Sequence, residues 1–127
     1  MQKLIILSQK IVFSRCCPLD HIPVLEMTIY VVKAKPKENL KANLRQELSS
    51  GKISSLRPFG EELHHGLENA RMFDGHAYWV EEDYCSPPLA MERRSVLDRY
   101  FDDITVERVE SDEEGWNRIK NRPMLWK

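Results

Sequence analysis

From Met27 onwards the apolar and polar positions fall into stretches with alternating strand and helix periods. TIYVVKAK, residues 28–35, is β-branched and aromatic and ends in two lysines, which predicts a buried strand. Pro36 then stands where the first turn of a helix tolerates a missing N–H. Leu40, Leu44 and Leu48 recur at helical spacing until Ser49, Ser50 and Gly51 stop the pattern. Asp74-Gly75, between ARMF and HAYW, predicts a two-residue hairpin, because a type I′ turn needs positive φ at both central positions. HAYWVEED is its second arm, with His76, Tyr78, Val80 and Glu82 on one face and Ala77, Trp79, Glu81 and Asp83 on the other. The first arm is ambiguous. EELHHGLENARM reads as a short helix carrying Leu63, Leu67 and Ala70, or as a strand, and Gly66 weakens the helix.

In EEDYCSPPLAMER the three acids mark the exposed end of that strand, Ser86 is a helix N-cap, and Pro87 and Pro88 occupy the first turn. Leu89, Val96, Leu97, Tyr100 and Phe101 then form one apolar helix face, while Glu92, Arg93, Arg94, Asp98 and Arg99 form a solvated one. ITVERV closes the pattern as a strand. The order strand, helix, strand, strand, helix, strand predicts an α+β, ferredoxin-like βαββαβ arrangement: an antiparallel sheet with two helices on one face. Residues 111–127 follow as an aromatic tail. Trp116 and Trp126 are costly to leave in water, so the tail is expected to dock on the sheet or on a second subunit.

A length of 127 residues fits one domain with its own core. Three parts are expected: an extension over 1–26, the α+β domain over 27–110, and the tail. The extension has two short apolar runs, LIIL and IVF, with no clear period. It reads as lying upstream of a native start at Met27, or else one run adds a strand to a sheet edge. The formal charge of −1 gives no net pull toward phosphate backbones or anionic lipid, so neither nucleic acid nor membrane is expected as a partner. No segment approaches the roughly 20 apolar residues that span a bilayer. Cys16, Cys17 and Cys85 are odd in number and two are adjacent, which fits a reducing cytoplasm better than a disulfide framework.

The histidines are the leading candidates for chemistry. If LHHGLENARM, residues 63–72, pairs with HAYWV, His64 or His65 lies far from His76 and nearer to Glu82, and a His and a Glu on one sheet face can serve as acid and base. Two such ligands are too few for a metal site, and no metal or cofactor is expected. Arg57 and Arg71 can hold an anion bidentately, or pair structurally with the EED acids or with Glu61 and Glu62. Cys85 precedes a helix start, but its three acidic neighbours oppose a reactive thiolate. The candidate ligand-binding set is therefore His64, His65, His76, Tyr78, Trp79, Glu82 and Arg57.

The stretch LRQELSSGKISSLRPFG, with Gly51 and Arg57-Pro58-Phe59-Gly60, followed by a strand, a helix and a closing strand, resembles the YCII-related and other dimeric α+β barrel domains over residues 27–110. That resemblance implies a homodimer with facing sheets and a small-molecule cleft, and it carries over no catalytic residue. Two functions are expected on these grounds. One is binding or transforming a small organic molecule in a dimer cleft; the other is a non-enzymatic interaction or dimerisation module with an exposed aromatic tail.

Overall fold

The computed structural model describes residues 27–83 and 87–126. The expectations for residues 1–26 and for Tyr84, Cys85 and Ser86 lie outside these residues. Four strands form one open antiparallel sheet: β1 (Thr28–Pro36), β2 (Arg71–Phe73), β3 (His76–Asp83) and β4 (Phe101–Val109), in the order β2-β3-β1-β4. The predicted hairpin joins β2 to β3, with φ of 54° at Asp74 and 80° at Gly75. Pro36 does not open a helix; it is the last residue of β1, opposite Phe101. Lys37 then donates its N–H to Tyr100 O at 2.9 Å, and a 3-10 turn, Glu38–Leu40, leads into α1 (Lys41–Ser49).

The ambiguous arm is a helix, α2 (Gly60–Glu68), and strand pairing begins only at Arg71. Leu63 and Leu67 are fully buried beneath it. Gly66, which weakens a helix in isolation, is what lets this one lie against β3. A Cβ there would stand 2.8 Å from Trp79 Cδ1 and 3.2 Å from the Val80 carbonyl oxygen. Close approach to the strand outweighs helix propensity.

The second predicted helix begins later than its prolines. Its turns, Ala90–Glu92, Arg93–Leu97 (π-helical) and Asp98–Tyr100, run on as α3. Leu89 precedes them with φ 60°, and its N–H goes to Asp83 Oδ2 at 2.6 Å. That left-handed turn delays the helix, so Pro87 and Pro88 lie ahead of it. The tail contributes a fourth helix, α4 (Asp112–Ile119), where none was expected. Ser111 Oγ accepts from Glu114 N at 3.0 Å and Glu114 Oε1 accepts from Glu110 N at 2.9 Å, close to the reciprocal arrangement of a capping box. Among the described residues there are thus four helices rather than two.

The helices divide between the two faces. Val32, Ala34, Ala77 and Trp79 point toward α1, α2 and α3, packing with Leu44, Leu48, Leu63, Leu67, Val96 and Leu97. Ile29, Val31, Val80 and Val109 point the other way and pack with Ile119 of α4. After α4 the tail docks on its own domain: Leu125 is buried, Met72 N donates to Pro123 O at 2.7 Å, and Trp126 Nε1 donates to Leu67 O at 2.7 Å. Its two tryptophans are therefore partly buried against the domain rather than exposed. No described helix is long and apolar enough to cross a membrane.

Candidate functional site

The expected set of site residues is dispersed. Trp79 is a core side chain whose indole donates to Glu81 Oε1 at 3.0 Å. Arg57 is exposed and donates to Ser54 O at 3.1 Å, and Arg71 donates to the carbonyls of Asn69, Lys120 and Arg122, so neither makes the expected ion pair. Because α2 is a helix, His64 and His65 do not sit on a strand beside Glu82. His64 Nε2 lies 3.7 Å from Glu68 Oε2, and His65 meets Trp116 edge-on at 6.0 Å between ring centroids. The Glu82 backbone N–H is bound by Glu62 Oε2 at 3.1 Å.

His76 and Tyr78, in contrast, share a surface with residues that were not singled out. α4 covers one half of its sheet face, where Gly115 lets the helix backbone approach so closely that a Cβ would lie 2.9 Å from Val80 Cγ2. The other half of that face carries a row across all four strands: Arg71 opposite Tyr78, Tyr78 opposite Lys33, Lys33 opposite Thr105. One pleat along stand Phe73, opposite His76, and Lys35 on β1. Lys33, Lys35 and Thr105 are exposed, and Phe73 is 52% exposed.

The tail completes this surface. The Arg122 guanidinium carbon lies 4.4 Å from the Phe73 ring centroid and 4.7 Å from that of Tyr78. Arg71 fixes the segment that carries Arg122, donating to Lys120 O at 2.6 Å and to Arg122 O at 3.2 Å. His76 Nδ1 donates to Asp74 O at 3.0 Å, which leaves Nε2 to accept when the ring is neutral. Among the described residues no carboxylate lies within 4.0 Å of the Lys33 or Lys35 ammonium. Nearby Glu107 is bound by Arg118 at 2.9 Å, and Asp102 lies 3.9 Å from Lys37. Unpaired cations beside aromatic faces suit a planar anion, held by charge and by stacking. The signal in the sequence was the Lys33-x-Lys35 spacing, which puts both ammonium groups on one face.

A second cluster, of acids, lies where β3 leads toward α3. Glu81 and Asp83 are not at an exposed strand end, and Glu92 is not on a solvated helix face: they are 0%, 2% and 1% exposed. Burial, with the Glu92 charge beside it, pushes the Glu81 carboxyl well above the ordinary carboxylate range, against the pull of the Trp79 indole. Among the described residues no group of three or more His, Cys, Asp or Glu side chains is placed to hold a metal ion. Two surface hollows, one over Ser111, Glu114 and Arg118 and one beside Asn43, Gln46 and Lys52, include none of the histidines.

No protein-family model matches the chain, and no curated protein and no solved structure matches it either.

Proposed function

We propose that this protein is a ferredoxin-like binding domain that takes a planar, anionic organic ligand on the half of its sheet face that no described helix covers. The fold assignment is supported by the element order and by β1 lying between β3 and β4 while the β2-β3 hairpin lies to one side; α2 and α4 are then additions to that plan. The observation that carries the binding reading is the register, which aligns Arg71, Tyr78 and Lys33 in one row beneath Arg122. Lys33 and Lys35 would take the negative group, and the Phe73 and Tyr78 rings with the Arg122 plane would take the flat one. A homodimer with facing sheets, as the resemblance implies, would have to cover both α4 and these lysines; the ligand reading leaves that face to the ligand.

Thermal unfolding of the full chain tests this with three probes: a purine mononucleotide, its uncharged nucleoside and inorganic phosphate. A ligand of the native state raises the midpoint, and here the mononucleotide should do so well beyond either fragment. Replacing Lys33 and Lys35 together by Ala should abolish the shift. If the mononucleotide leaves the midpoint unmoved at low salt, the reading is wrong.

A further inference from the structure

We infer that the ligand of this surface is a single-stranded nucleic acid, an inference that rests on the binding reading above and names its ligand class. Small-molecule sites are concave and enclose most of their ligand. This one is a sheet face, with Lys33, Lys35, Thr105 and Phe73 all exposed. A flat surface gains affinity by repeating modest contacts along an extended ligand, and a single strand supplies both contacts at every residue: a base to stack and a phosphate to neutralise. The row provides both partners side by side. Tyr78 stands opposite Lys33, and Phe73 stands opposite His76 with Lys35 on the same face.

Duplex DNA fits less well. Its bases are stacked inside, where Phe73 and Tyr78 cannot reach them, and reading its major groove takes a protruding helix or ribbon. The Arg122 plane over Phe73 and Tyr78 also has the geometry on which unpaired bases stack. The net charge of −1 argued against nucleic acid only as an average over the chain. The acids that lower it include Glu81, Asp83 and Glu92, buried away from this face. Asp74, in the hairpin turn, and Asp102, opposite Lys35, are both exposed and border the surface.

The test is fluorescence anisotropy of labelled oligo-U and oligo-dT of about 15 nucleotides, and of a matched duplex, with the full chain. Both single strands should bind, with a difference between them reporting contact to the 2′-hydroxyl. Two phosphate contacts, from Lys33 and Lys35, predict a log–log salt slope of about −1.4, or roughly a sevenfold loss between about 50 and 200 mM salt. Lys33→Glu with Lys35→Glu should weaken binding at least about tenfold and flatten that slope. Phe73→Ala should weaken single strands roughly tenfold while leaving duplex binding unchanged. All three positions are exposed, so a thermal midpoint near that of the parent chain verifies that the variants fold. Duplex binding as tight as single-strand binding overturns the inference, as does indifference to these substitutions. If neither oligomer binds while a mononucleotide still raises the midpoint, the inference fails and the binding reading stands; if nothing binds, both fail.

Discussion

Trp79 donates its indole N–H to Glu81 at 3.0 Å, and both side chains are fully buried on the same face of β3. The bond satisfies Glu81 Oε1, while Oε2 is buried without a hydrogen-bond partner among the described residues. A carboxylate so placed is fully buried with one weak donor, and the Glu92 and Asp83 charges lie nearby. It keeps its proton to a higher pH than an ordinary glutamate does.

Stability should therefore fall as pH rises. Below the ordinary glutamate range Glu81 is protonated in both the native and the unfolded chain, and its contribution is fully present. Above that range the unfolded chain releases the proton and the native one holds it, so each further pH unit costs up to about 1.4 kcal/mol until the raised native pKa is passed. Glu81→Gln keeps an acceptor for Trp79 and removes the titration. Its urea midpoint should exceed that of the parent chain at pH about 8 and depend less on pH between about 5 and 8. Parallel pH profiles for the two proteins would mean that Glu81 ionises normally.

Gly66→Ala separates helix propensity from packing. In an open helix the change would stabilise by about 1 kcal/mol. Here the new methyl meets Trp79 Cδ1 at 2.8 Å, and Trp79 is wedged in the core against Phe101 with 5.2 Å between ring centroids. A net loss of about 1–3 kcal/mol is expected from equilibrium urea unfolding, the usual cost of overpacking. A gain would show that α2 can shift away from β3.

The same pair of residues explains how far the sequence could be read. β-Branched and aromatic residues placed β1 and β3, alternation placed β4 from Ile104, and Asp74-Gly75 placed the hairpin, because each of those signals is local. Gly66 was read against a helix because its reason, contact with Trp79 on another element, is not local. Glu81 and Glu92 were assigned to solvent on charge alone, yet the packing of three helices on one sheet face buries them. For the site, His76 and Tyr78 were legible as one strand face. Phe73 and Arg122 were not, since Arg122 reaches that face only after α4 has crossed the other half. The one missed element with a clear local signal was α4 itself: Ser111 and Glu114 have the spacing of a capping box.

That cap is directly testable. Ser111→Ala removes the acceptor for Glu114 N and should cost about 1 kcal/mol. Because α4 covers Ile29, Val31, Val80 and Val109, fraying of its first turn should also speed amide exchange at Gly115, whose N–H is bound to Ser111 O at 3.1 Å. Unchanged exchange at Gly115 would mean that packing alone holds the helix start.

The final expectation concerns the tail. Trp126 donates to Leu67 O at 2.7 Å and lies under the Arg45 guanidinium, 4.9 Å from ring centroid to carbon, so it ties the chain end to both α1 and α2. Its neighbour Leu125 donates to Ala70 O at 2.8 Å, and Pro123 O accepts from Met72, so the same segment closes the outer edge of β2. A strand of three residues has little pairing of its own, and this edge contact should carry much of its stability. Trp126→Ala should cost about 2–3 kcal/mol, somewhat below a fully buried tryptophan because the residue is only partly buried. Trp126→Phe keeps the ring beneath Arg45 and loses the donor, for about 1 kcal/mol. Amide exchange distinguishes edge closure from simple packing. In the Ala variant Met72 and Leu125 should exchange faster relative to β1 amides such as Val32, because the segment that binds them is released, whereas uniform acceleration across the sheet would mean that Trp126 supports only the global fold.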